Sequence, residues 1–113
     1  MQERVNELAT EFGVTAEAAD QWGLVAMLAR QVVEAERELE RHSRELIGAT
    51  EDAVVTAKAG DLRTSVRGDL LAAVSGKAAA VDAALMKLAE RRQALAIVAE
   101  SVKKARPEPA EHE

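Results

Sequence analysis

A seven-residue rhythm near the C-terminal end constrains this chain more than any other feature. Val74, Val81, Leu88, Leu95 and Val102 recur every seven positions, and Leu71, Ala78, Leu85 and Ala99 fill a companion line. That spacing lays an apolar stripe along one side of a long helix and is incompatible with the two-residue alternation of a strand. A last helix is therefore predicted from Asp69 to Ala105. Between Leu70 and Met86 only Ser75, Gly76, Lys77 and Asp82 interrupt the apolar residues. A helix apolar nearly all round is buried on more than one side. One antiparallel partner covers a single side, so the pattern predicts that other copies of the chain cover the rest. Leu71, Val74, Val81, Leu85, Leu88, Leu95 and Val102 are the expected oligomerisation residues.

The first half carries a matching pattern. Val25, Val32, Leu39 and Leu46 form one line, with Leu28, Ala35, His42 and Ala49 beside it. Arg30, Arg37 and Arg44 fall on the opposite face, with Glu34, Glu38, Glu40 and Glu45 close enough for ion pairs three or four residues away. The spacing predicts a helix from Ala16 to Ile47, ~48 Å long at ~1.5 Å per residue. A helix of this polarity needs a partner for its stripe. The two long helices are expected to fold back on each other as an antiparallel hairpin. Aromatic residues make up only 2% of the 113 residues, Phe12 and Trp22 alone. Large side chains dominate core energetics, so an alanine-rich core is thin and gains from being shared between chains.

Residues 48–68 break the rhythm with Gly48, Gly60 and Gly68. Two readings are open. β-branched residues in Ala53–Ala57 and Leu62–Val66 flank a glycine turn, as in a small β-hairpin at the tip of the helical one. Alternatively the first helix runs on to Ala59, with Gly60 as its left-handed C′ residue and Asp61 capping the next.

At the N-terminus, Val5, Leu8, Ala9 and Phe12 share one helical face over residues 2–12. Gly13 suits the left-handed end of that helix, and Thr15 suits the N-cap of the next, with Glu17 in its first turn. Ala9, Gly13, Val14, Ala19 and Trp22 have helix-turn-helix spacing, with Leu8, Phe12, Val14 and Trp22 as packing anchors. The second helix of such a unit would present Thr15, Glu17, Asp20 and Gln21, none of them cationic. DNA affinity rests mainly on phosphate contacts, so this face alone would repel a duplex.

Charge is uneven within the net −5. Residues 1–23 hold Glu3, Glu7, Glu11, Glu17 and Asp20 against Arg4, whereas residues 70–106 are net basic. Any nucleic-acid contact is expected on the last helix, at Lys77, Lys87, Arg91, Arg92, Lys103 and Lys104. The alternative is an ordinary solvated face. From Arg106 the composition turns to a Pro/Glu tail expected to be disordered.

Catalytic chemistry has no candidate. His42 occupies a seam position between Glu38 and Glu45, and Leu39 stands where a Glu-x-x-His metal pair would need its carboxylate. A polar residue setting helix register is the expectation there. His112 lies in the tail. Gly60–Gly68 lacks the Gly-Lys-Ser/Thr ending of a phosphate loop, Arg67-Gly68-Asp69 matches an integrin tripeptide by chance, and no histidine is placed to activate a serine or threonine. No enzyme activity, cofactor or metal is expected. No apolar run reaches the ~18 residues of a membrane span, and Gln2-Glu3-Arg4 does not open a secretory signal. A cytoplasmic location is expected.

Several stretches together resemble the small terminase subunits of phages. They are Val14-Thr15-Ala16-Glu17-Ala18-Ala19, the long Ala/Glu/Arg helix, the Val54-Val55-Thr56…Gly60 stretch, and the Leu/Ala-rich helix with Glu90-Arg91-Arg92-Gln93. The resemblance spans residues 11–98 and lies in layout and composition. It implies a non-enzymatic ring that recognises double-stranded viral DNA and engages a large partner subunit through its C-terminal tail. Alternatives are a coiled-coil scaffold or adaptor, and a helical hairpin similar to type VII secretion substrates, which share the Trp22-Gly23 pairing in part. The expected fold is all-α. A helix-turn-helix-like segment (1–23) precedes an oligomeric helical hairpin (24–105) and an acidic tail (106–113).

Overall fold

The computed structural model describes residues 1–14, 19–60 and 62–105. Among these residues the chain is all-α, with α1 at Gln2–Glu11, α2 at Ala19–Lys58 and α3 at Thr64–Ala105, and no strand. Thr15, Glu17 and Asp61, and the tail from Arg106, lie outside the described residues, as do the side chains of Asp20 and Gln21. No described helix is long and apolar enough to cross a membrane.

Two expectations are corrected. There is no β-hairpin at residues 53–66: α2 runs eleven residues past Ile47 to Lys58, and α3 begins at Thr64 rather than Asp69. The heptad lines explain the first change. Ala53 and Thr56 continue the Leu46 and Ala49 lines by seven, and both are half-buried. One glycine and a few β-branched residues cost a helix only about 0.5–1 kcal/mol each, too little at any one position to end it. Thr50 joins the helix by donating its hydroxyl to the Leu46 carbonyl (2.9 Å). Val66, Leu70 and Val74, four apart and half-buried, carry α3 through Gly68 in the same way.

Both left-handed glycines end helices. At Gly13 (φ 82°) the amide donates to the Thr10 carbonyl at 2.9 Å, and Val14 N–H donates to Ala9 at 2.8 Å. These are the two bonds of a Schellman motif, closed by apolar contact between the buried Val14 and Ala9. Gly60 (φ 86°) ends α2, its amide donating to Ala57 at 3.0 Å.

The chain divides into two compact units, which cut across the segments read from the sequence. Unit 1 joins Met1–Ala35 to the described residues from Leu88 onward; unit 2 is Glu36–Lys87. Unit 1 is a three-helix arrangement around a continuous core of Val5, Leu8, Val14, Val25, Val32, Leu95 and neighbours, with Phe12, Trp22, Leu28 and Leu88 packed at its edge. Burying each large aliphatic side chain there contributes about 1.5–3 kcal/mol. Unit 2 is a two-helix hairpin turning at Gly60, and Ala84 is its one buried hydrophobic residue among those described.

Candidate interaction surfaces

Four of the six cations predicted to meet DNA make ion pairs with carboxylates of this chain. In unit 1, Arg92 reaches from α3 to α1, where its guanidinium donates to the Glu11 carboxylate and lies 5.3 Å from the centre of the Phe12 ring. It therefore closes the short helix onto the long one. Lys103 pairs with Glu100 at 2.9 Å, and its stem lies over Gly13, where a Cβ would stand 3.1 Å from Nζ. In unit 2, Lys87 donates to Glu38 at 3.0 Å and Lys77 lies 3.5 Å from Glu45, two pairs that pin the register of the hairpin. Arg91 and Lys104 are exposed and make none of these pairs.

These pairs act on the carboxylates. The hydrogen bond and then the charge of Lys87 hold Glu38 below the usual carboxylate range. The charge of Lys77 does the same for Glu45, and the hydrogen bond from Lys103 for Glu100. His42 faces the seam of unit 2 with Nδ1 3.4 Å from Glu45, close enough to pair when the ring is protonated, yet without hydrogen-bond geometry. No group of three or more potential metal ligands occurs among the described residues.

The expected oligomerisation residues separate into three sets. Leu95 and Val102 are buried in the core of unit 1. Val74, Val81 and Leu88 are half-buried within their own units. Leu71 and Leu85 point outward, 68% and 49% exposed. The companion of the Val74–Val81 line in unit 2 is Leu70, Lys77 and Ala84, one residue earlier than Leu71, Ala78 and Leu85. In unit 1, where α1 adds a third helix, the companion residue Ala99 is buried. Leu8 and Val14 are also fully buried there, with Phe12 and Trp22 against them.

Sequence reasoning missed the exposed apolar residues of the hairpin, Ile47, Val54, Val55, Leu62 and Met86. The signal was present, since Ile47 and Val54 are themselves seven apart. On unit 1, a shallow groove of about 380 Å³ lies along α3 between Gln93, Ile97, Glu100 and Lys104. Comparison with models of known protein families, with curated proteins and with solved structures gives no match.

Proposed function

We propose that this chain is a non-enzymatic assembly subunit: unit 1 is a self-sufficient folded base, and unit 2 is a hairpin that joins chains together. The observation that carries this reading is the imbalance within unit 2. Ala84 is buried there, while Ile47, Val54, Leu71, Leu85 and Met86 stand in solvent. A two-helix hairpin is marginal without a further layer to close its core. Light scattering across a concentration series tests the proposal. A native mass of two or more times 12.1 kDa supports it, and a single-chain mass at ~100 μM, where a dimer with a Kd of about 1 μM would be nearly complete, overturns it.

DNA recognition of small-terminase type is a second reading, favoured by Arg91 and Lys104, two exposed cations left out of the pairs described above. The large partner subunit and the tail that would engage it belong to this reading. A gel shift that weakens steeply with salt supports it, because phosphate contacts release counterions. Absence of a shift at low salt leaves the scaffold. The secretion-substrate alternative requires Trp-x-Gly at the hairpin turn, but the adjacent Trp22-Gly23 lies inside α2, with Trp22 against the core.

A further inference from the structure

Each helix of unit 2 has a seam, and the residues on either side of the two seams form the two broad faces of the hairpin. On α2 the seam is Leu39, His42, Leu46, Ala49 and Ala53; on α3 it is Leu70, Val74, Val81 and Ala84, all half-buried or buried, and Leu88 continues the α3 line at the edge of the unit 1 core. One residue advances ~100° around a helix. In an antiparallel pair, a step forward from either seam turns onto the same face, because a two-fold axis normal to the hairpin exchanges the helices and preserves that face.

The two faces differ in charge. One step before the seam lie Glu38, Arg41, Glu45, Asp52, Asp69 and Lys87. One step after it, between residues 39–54 and 70–85, Glu40 and Asp82 are the charged residues. That second face instead presents Ile47, Val54, Leu71, Ala78 and Leu85, and all five are exposed.

Resting on the assembly reading above, we propose that this second face is the self-association surface, and that α3 meets α3 of a second copy antiparallel, crossing at Ala78. Two observations select a second copy as the occupant. The α3 stripe is self-complementary, as a two-fold contact requires. Alanine at the crossing permits close approach, with Leu71 beside the partner's Leu85 at either end. Finally, the polar positions choose the direction. Antiparallel packing sets Asp82 near the partner's Ser75, whose hydroxyl can donate to the carboxylate. Parallel packing would set the two Asp82 carboxylates together.

The chain contains no cysteine, so introduced thiols report without background. Under mild oxidation of the full chain, Ala78→Cys is expected to form a disulfide-linked dimer within minutes. Ala73→Cys, also exposed but ~140° around the helix, is expected to stay reduced. An equimolar mixture of Leu71→Cys and Leu85→Cys chains should yield the mixed dimer, and neither variant alone its own dimer. An oligomeric wild-type protein in which Ala73→Cys links and Ala78→Cys does not overturns the face. Self-linking of Leu71→Cys alone overturns the antiparallel direction. A single-chain native mass overturns the assembly reading itself, whatever the thiols do.

Discussion

Unit 1 and unit 2 are built from the same two long helices with the same seven-residue spacing, yet one closes a core and the other does not. The difference is α1. In unit 1 the ten residues of α1 supply Val5, Leu8 and Ala9 as a third wall, so the α3 segment buries both Leu95 and Ala99. In unit 2 no third wall exists among the described residues, and the corresponding positions Leu71, Ala78 and Leu85 face solvent. A heptad pattern therefore specifies one buried side. Whether the second side is buried depends on what else the chain provides. The contrast predicts that amides of residues 92–102 exchange with solvent far more slowly than those of residues 70–80 in dilute protein.

Core substitutions should divide the units most sharply. Leu95→Ala is expected to cost about 2–5 kcal/mol, whereas Leu85→Ala should stay within about 0.5 kcal/mol in the dissociated chain. Urea unfolding at low micromolar concentration measures both, and equal losses would break the comparison. The two left-handed glycines offer a finer test. Gly60→Ala meets open space, so it should lose only the ~1–2 kcal/mol of a left-handed alanine. Gly13→Ala pays that and must also displace the Lys103 stem, so its melting temperature should fall further.

Arg92→Ala removes both the Glu11 bond and the Phe12 contact, and about 1 kcal/mol should go with them. The loss should be read as faster exchange in α1, with the hairpin unaffected. Gly48→Ala works in the opposite direction. It sits inside α2 with nothing within 4 Å of an added Cβ, and a gain of about 0.5–1 kcal/mol is expected. The smallest effect is acid loosening of the hairpin. Glu38 and Glu45 have carboxyls lowered by Lys87 and Lys77. Their contribution is present above the ordinary carboxylate pKa and is lost as pH falls through the depressed folded values. Hairpin amides should thus exchange faster at pH 3 than at pH 5, after correction for intrinsic rates. That change should shrink in Lys77→Met/Lys87→Met.

Much of the fold was legible from spacing alone. Val25, Val32, Leu39 and Leu46 on α2, and Val74, Val81, Leu88, Leu95 and Val102 on α3, all face inward, wholly or in part. Gly13 ends α1 as its sequence context requires. Two readings stood open at 53–66 because three local signals, Gly48, Gly60 and the Val54-Val55-Thr56 run, competed with the quieter continuation of the heptad through Ala53 and Thr56, and α2 follows the helical one to Lys58. A different ambiguity affected α3. Leu71/Ala78/Leu85 and Leu70/Lys77/Ala84 both fit a heptad beside Val74 and Val81, and Lys77 made the second line look polar. Lysine nevertheless fits there, because it stays exposed and its ammonium lies 3.5 Å from Glu45. The engagement of Arg92 with α1 was not legible, because its partners Glu11 and Phe12 lie some eighty positions earlier in the chain.

The positive-φ glycine at residue 60 has a practical corollary. Ala59, Gly60, Leu62 and Arg63 are all exposed, and the turn belongs to the unit with little core to disturb. Both the earliest and the latest described residues belong instead to the packed base. An epitope, fluorophore or fusion domain spliced in at this loop should therefore be accommodated, while comparable insertions at Gly13 should not.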